Sequence, residues 1–157
     1  MPENEIPFKI LISFMEMALN EAQKAQGQGE VPVGAVLISK DWGVISMAHN
    51  CPISAMDPTA HAEINALRKA AKKTGNYRLT GTTMIVTLEP CIMCAGALVW
   101  ARVKRVVFGA PDPKSGAFGS VLDINAIPGL NHRIEVIGGI MERECGDILR
   151  DFFRKRR

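Results

Sequence analysis

Residues 82–110 read TTMIVTLEPCIMCAGALVWARVKRVVFGA, and this stretch decides the fold. An apolar, β-branched run over 82–88 predicts a buried strand that is broken at Pro90. A short apolar helix follows over 91–102, and 104–110 is again strand-like. Strand, helix and strand in this order predict two parallel strands joined by a right-handed crossover.

The rest of the chain predicts a three-layer α/β/α sandwich around a mixed five-stranded sheet, as a single domain over 1–157. Apolar residues recurring every three to four positions indicate helices, and apolar runs bounded by turn residues indicate strands. The remaining predicted elements are a helix over 7–26, a hairpin of strands 31–39 and 44–49, a loop over 50–58, a helix begun by Asp57 and Pro58 and closed at 74–76, a strand over 132–138 and a closing helix over 141–157.

Composition predicts an ordinary soluble globular protein, with 47% apolar and 22% charged residues and a net charge of +3. The longest apolar runs are far below the roughly 18 residues that a membrane span needs. The first five residues have neither the basic start nor the apolar core of a signal peptide. We therefore expect a cytoplasmic protein without a membrane segment, in which the thiols are reduced.

Cys91 and Cys94 lie three residues apart at the start of a predicted helix. Two such thiols can bind one metal ion, and His61 can supply a third ligand. Three protein ligands leave one position for water, which is the arrangement of a catalytic zinc site. The helix N-terminus favours thiolate over thiol, because its backbone N–H groups carry partial positive charge.

Three other interpretations of the cysteine pair remain open. The pair can be half of a structural zinc site, a redox pair, or two small buried apolar residues. A structural site would need a second pair, whereas Cys51 and Cys145 are isolated from each other. A redox role would leave His61 and the nearby Glu63 without a purpose.

The last ten residues carry five cations and one acid, a local net charge of +4. Such a tail can contact the phosphates of a nucleic acid. It can equally be a solvated helix end whose cations favour the helix dipole.

His61-Ala62-Glu63 together with Pro90-Cys91-Ile92-Met93-Cys94 is the His-x-Glu and Pro-Cys-x-x-Cys signature of the zinc deaminases. Over nearly its whole length the chain resembles, more narrowly, the bacterial tRNA-specific adenosine deaminases, which have a cytidine deaminase-like fold. The matching segments are 30–36, 57–64, 76–79, 86–98, 105–110, 131–133 and 151–154.

The resemblance implies a homodimeric, zinc-dependent hydrolase that converts adenosine to inosine at the wobble position of a tRNA anticodon stem-loop, mainly of an arginine tRNA. One zinc ion per chain would be held by His61, Cys91 and Cys94. Glu63 would shuttle protons while hydroxide attacks C6 of the adenine. Asn50 would bind the base, although without the resemblance it is an ordinary loop residue.

The remaining substrate contacts are expected in the tail and in the loop after the fourth strand. Phe152, Phe153 and Arg154 would line the RNA groove, but helical spacing with Ile148 predicts that one phenylalanine is core. Asp112 would accept a hydrogen bond from a ribose 2′-hydroxyl, or else it only forms a Pro-Asp-Pro turn.

Two alternative functions remain. The same zinc residues would serve a deaminase of a free base or nucleoside, of the guanine or cytosine type. A non-catalytic RNA-binding relative could keep zinc for folding, although it would not need Glu63.

Overall fold

The computed structural model describes residues 5–156. The sequence before them, and Arg157 at the end of the basic tail, lie outside the described residues. The strands are β1 (Gly34–Ile38), β2 (Val44–His49), β3 (Thr83–Leu88), β4 (Arg105–Ala110) and β5 (Glu135–Ile137). The helices are α1 (Phe8–Gly27), α2 (Pro52–Ala55), α3 (Ala62–Thr74), α4 (Ile92–Trp100) and α5 (Glu142–Arg154), with a 3-10 turn at Ile124–Ala126.

The sheet is mixed and has five strands in the order β2-β1-β3-β4-β5. β3 and β4 run parallel on either side of α4 in sequence, as the 82–110 stretch predicts. β1 and β2 form the predicted antiparallel hairpin, and β1 also pairs antiparallel with β3. The predicted fold class is confirmed.

Both faces of the sheet are covered by helices, which explains the nearly unbroken apolar runs of its central strands. Alternate strand residues point to opposite faces. One set packs under α1 and α5 and includes Val36, Ile85 and Val107. The other packs under α3 and α4 and includes Leu37, Met84, Val86 and Phe108.

Two local predictions around residues 50–62 are wrong. Residues 50–58 are not all loop, since α2 forms a single helical turn there with Pro52 in its first position. Asp57 does not start a helix, because its Oδ1 accepts hydrogen bonds from the N–H and hydroxyl of Thr59 and makes a separate turn. α3 begins only at Ala62, with His61 as its N-cap residue in an extended conformation. Its end is as predicted, at Gly75 with a left-handed φ of 71°.

Within residues 5–156, none of the helices has the length and apolar character needed to cross a membrane.

Candidate active site

The candidate site lies where the carboxyl ends of β3 and β4 meet the N-termini of α3 and α4. In α/β sheets, this edge of the parallel strands is the common place for a ligand. β3 leads through Glu89 and Pro90 to Cys91, which is the N-cap residue of α4. His61 holds the same position on α3. Neither side chain caps its own helix, and both line the shared cleft.

His61, Cys91 and Cys94 form a cluster that fits zinc. Their ligand atoms all lie within 4.8 Å of one another. The Nδ1 atom of His61 is 3.6 Å from Cys91 Sγ and 3.5 Å from Cys94 Sγ. Nitrogen and sulfur ligands at tetrahedral angles around one zinc are roughly 3.6 Å apart, from the usual bond lengths. Among the described residues, no fourth His, Cys, Asp or Glu joins the cluster, which argues against a closed structural site.

The three members of the cluster differ in how strongly each holds its proton. A hydrogen bond from the Cys94 thiol, with further help from His61, lowers the pKa of Cys91 to about 4. The same bond, together with burial, raises the pKa of Cys94. The hydrogen bond to Cys91 raises the pKa of His61. Cys91 is therefore a thiolate at neutral pH, the form in which cysteine binds metals.

Glu63 lines the same cleft from the first turn of α3, and it is 4% exposed. Residues two apart in a helix do not share a face, but His61 precedes the helix with an extended backbone, and both side chains line the cleft. Burial raises the pKa of Glu63 to about 7. A carboxyl with such a pKa can both take and give a proton near neutral pH.

These side chains open into a cavity of about 240 Å³. This volume is somewhat below the roughly 300–1,000 Å³ of a pocket for a drug-sized ligand, so it suits a single base. Asn50 lines it and is 7% exposed. Its Nδ2 donates to the carbonyl of Val31, which orients the amide and leaves one N–H of that group for a ligand.

Asp112 lines the cavity as well, in the loop that follows β4. Its carboxylate also accepts hydrogen bonds from the Lys114 and Ser115 N–H groups and from the Ser115 hydroxyl. Asp112 thus shapes a turn and faces the cavity at once, so the two interpretations from sequence do not exclude each other.

Comparison with known proteins agrees with this geometry. Residues 9–110 match the family model of the cytidine and deoxycytidylate deaminase zinc-binding region. The tRNA-specific adenosine deaminase of Haemophilus influenzae is 50% identical over 143 residues, which cover 91% of this chain and 83% of that one. The Bacillus subtilis tRNA-specific adenosine deaminase is 46% identical over 92% of this chain and 89% of its own length. This chain belongs to the tRNA-specific adenosine deaminase family.

Solved structures place the fold in the same family. A structure from work on A-to-I editing by tRNA:A34 deaminases is 44% identical, with a TM-score of 0.85, over 87% of this chain and 99% of that one. A guanine deaminase from Nitrosomonas europaea is more distant, at 25% identity and a TM-score of 0.78 over 90% of this chain and 83% of its own. The scaffold is thus common to deaminases with different substrates.

The basic tail of this deaminase contains both buried and exposed side chains. Phe152 is buried, with the Arg156 guanidinium 4.1 Å from its ring centroid. Arg156 also donates to the carbonyl of Gly29, so this cation fastens the end of α5 to the loop after α1. Phe153 is 48% exposed. Arg154 is exposed and lies 3.7 Å from Asp151.

A second cavity of about 530 Å³ connects the site to α5. It shares Asp112, Ser115, Val31 and Leu88 with the first cavity, and Phe153 lines its far side. Beyond it lies an opening lined by Lys114, Arg150, Phe153, Arg154 and Arg156. Phe153 and Arg154 are therefore connected to the site, whereas Phe152 lies behind them in the core.

Two buried carboxylates that the sequence analysis did not single out support the walls of the site. Glu30, 1% exposed, accepts hydrogen bonds from the Ile53 and Ser54 N–H groups at the start of α2. Glu89, 2% exposed, accepts hydrogen bonds from the loop that follows β4. Each acid directly adjoins an apolar strand segment in the sequence. A buried charge in that position needs hydrogen-bond donors, so this placement was the sequence signal for a structural role.

Proposed function

We propose that this chain, as a single deaminase domain with one zinc ion, deaminates adenosine to inosine at the wobble position of a tRNA anticodon. The observation that carries the proposal is one cavity of about 240 Å³ that is lined by Glu63, Asn50 and two members of the three-ligand cluster, His61 and Cys91. Relatives named tRNA-specific adenosine deaminases, at up to 50% identity over most of the chain, support the substrate class. An arginine tRNA in the cytoplasm is the substrate that the family resemblance implies.

His61, Cys91 and Cys94 would hold the zinc. When bound there, zinc supplies a water whose pKa is lowered to about 7 and which can attack C6 of the adenine. Glu63 moves the protons: it holds one at N1 of the ring and delivers one to the departing amino group, so that adenosine and water give inosine and ammonia. Its burial keeps bulk water away from these transfers. Asn50 orients the base with its remaining amide groups.

An anticodon loop suits the site because its bases are already unpaired, so that presenting one of them costs less unstacking than opening a duplex. The path from the cavity leads past Asp112 and Phe153 to the basic opening at the end of α5. Phe153 offers a ring on which a neighbouring base can stack, which contributes roughly 1–3 kcal/mol. Lys114, Arg150 and Arg154 offer positive charge to the phosphates.

We also propose a homodimer. α4 begins beside the metal ligands and exposes Ile92 by 51% and Trp100 by 77%. α2, at the edge of the cavity, exposes Ile53 by 73% and Met56 lies beyond it with 90% exposure. Apolar side chains exposed to this degree next to a site are typical of an interface. Sedimentation of the zinc-loaded protein tests this: a dimer is expected, and a monomer at micromolar concentration contradicts it.

Deamination of a free base is the second candidate function, since the guanine deaminase from Nitrosomonas europaea shares the scaffold. The second cavity and the basic opening favour RNA, because a free base would need neither.

The test offers the zinc-loaded protein an anticodon stem-loop with a wobble adenosine, free adenosine and free guanine in parallel. We expect inosine from the stem-loop, with a rate that falls as salt rises. Equal or faster conversion of a free base, without salt dependence, would establish the second candidate instead.

A further inference from the structure

The carboxylate of Glu89 is the centre of a buried hydrogen-bond network. Its Oε1 accepts from the N–H of Asp112 at 3.0 Å and from the hydroxyl of Ser120. Its Oε2 accepts from the N–H of Phe118 at 2.9 Å and from the N–H of Ser120 at 3.2 Å. Each oxygen thus takes two hydrogen bonds, and all four donors belong to the loop that follows β4.

The loop is shaped to pass directly over this carboxylate. Gly116 lies opposite Cys91 in an antiparallel bridge, and the N–H of Ala117 donates to the carbonyl of Pro90. A Cβ atom at Gly116 would overlap the carboxylate of Glu89. Glycine at 116 and glutamate at 89 therefore fit each other, and together they seat the loop against the segment that leads to Cys91.

We propose that Glu89 is a positioning residue for substrate binding, because it fixes Asp112 and the loop around it as the wall of the cavity. The inference rests on the proposed function for its kinetic readout. Glu89 borders the same cavity, but it is 2% exposed and is not a member of the metal cluster, and both of its oxygens are occupied by donors of the loop. It therefore acts on the substrate through Asp112.

Replacing Glu89 by glutamine keeps the side-chain volume but removes the acceptor of one hydrogen bond. The amide nitrogen must take the place of one oxygen. At the Oε2 position it would face two backbone N–H groups, from Phe118 and Ser120, and both would lose their acceptor. At the Oε1 position it faces the Ser120 hydroxyl, which can turn and accept, so only the Asp112 N–H loses its acceptor. The amide therefore adopts the second orientation, and Glu89→Gln loosens the loop at Asp112.

The kinetic experiment compares the zinc-loaded wild type with Glu89→Gln on the wobble-adenosine stem-loop. We expect KM to rise about tenfold, as the loss of one hydrogen bond to a charged group implies, while kcat and zinc content change less than about threefold. Asp123→Asn is the matched control, because its carboxylate accepts a single backbone N–H in the same connection but away from the cavity. We expect the control to match the wild type.

A double-mutant cycle with Asp112→Asn separates positioning from a general loss of stability. If Glu89 acts through Asp112, the two effects on KM are not additive. Additive effects, or an unchanged KM in folded Glu89→Gln, would overturn the proposal.

Amide hydrogen exchange gives a readout that does not depend on activity. In the wild type the Asp112, Phe118 and Ser120 amides should be protected, and in Glu89→Gln the Asp112 amide should exchange faster than the other two. If the wild type converts no stem-loop, the proposed function fails and exchange alone decides the positioning role. If the variant does not fold, free exchange of the Asp112 amide in the wild type overturns the proposal, and protection supports it.

Discussion

Glu63 and His61 share a cavity although they are two residues apart, and the reason is a helix boundary. With His61 as the N-cap residue of α3, its backbone is extended while Glu63 is already in the first turn. The signature His-x-Glu thus depends on where the helix starts. If α3 began early enough to include His61, the two side chains would lie on different faces of the helix.

We expect Glu63→Gln to lower kcat by about 10²–10⁴-fold, because an amide cannot carry the proton that the carboxyl transfers. Zinc content and thermal stability should stay close to those of the wild type, since the side chain keeps its shape and is not a ligand in the proposed site. Metal analysis and single-turnover kinetics on the stem-loop check this. A variant with kcat within a few fold of the wild type would refute the proton-transfer role.

The residues of the metal cluster could be predicted from sequence because they belong to two short signature segments. Cys91 and Cys94 follow a broken strand, and His61 precedes Glu63 by a fixed interval. The roles of Glu30 and Glu89 could not be predicted from sequence, because each depends on backbone N–H groups more than twenty residues away. The burial of Phe152 rather than Phe153 also depends on tertiary contacts that helical spacing alone does not resolve.

The two walls of the cavity are separate elements, and each is held by a buried acid. Glu30 holds α2, which carries Pro52 into the cavity wall beside Asn50. Burial by itself raises the pKa of Glu30, but the hydrogen bonds from Ser54 and Ile53 lower it more, so the net pKa lies below the ordinary 4.5. A lowered pKa in the folded state means that the charged form stabilises the fold.

Glu30→Gln should therefore destabilise the protein by about 1–3 kcal/mol at neutral pH, the usual cost of an unsatisfied buried group. The stability that Glu30 contributes is fully present above pH 4.5 and is lost as the pH falls through its lower folded-state value. The difference between variant and wild type should shrink on acidification, as measured by urea unfolding. Glu16→Gln, at an exposed position in α1, is the control. A stability difference between Glu30→Gln and the wild type that does not change with pH would contradict the role assigned to Glu30.

The edge strand β2 is covered by a row of side chains from α3. Asn65, Lys69 and Lys73 are one helical turn apart, and they donate to the carbonyl groups of alternate β2 residues, His49, Met47 and Ile45. Carbonyl groups on a sheet edge that lack partners invite pairing with another chain, and lysine is a common means of preventing it.

We expect the double variant Lys69→Met, Lys73→Met to change the free energy of unfolding by less than about 1 kcal/mol, since both lysines are exposed. The double variant should self-associate more than the wild type, which light scattering would measure. The control Lys72→Met removes one positive charge, and each single variant, Lys69→Met or Lys73→Met, is its match. The Lys72 side chain does not reach β2 by any described contact. If Lys72→Met associates as strongly as these single variants, the edge does not explain the effect.

For the whole molecule, the order of the sheet followed from sequence only in part. The parallel pair β3 and β4 was predictable because strand, helix and strand along the chain allow one handedness of connection. The antiparallel pairing of β1 with β3 joins strands that are not consecutive, and α3 lies between them in sequence. Nothing local specifies that pairing. It places α3 beside α4 and so brings His61 to the cysteines.

The measurement that tests the central claim most directly is position-resolved mass spectrometry of a whole arginine tRNA after treatment with zinc-loaded protein. Deamination replaces an amino group by oxygen, so each converted adenosine changes mass at one identifiable position. We predict inosine at the wobble position and unchanged adenosines elsewhere in the tRNA, with no conversion by Glu63→Gln. An unmodified wobble adenosine after treatment with folded, zinc-loaded wild type would contradict the account.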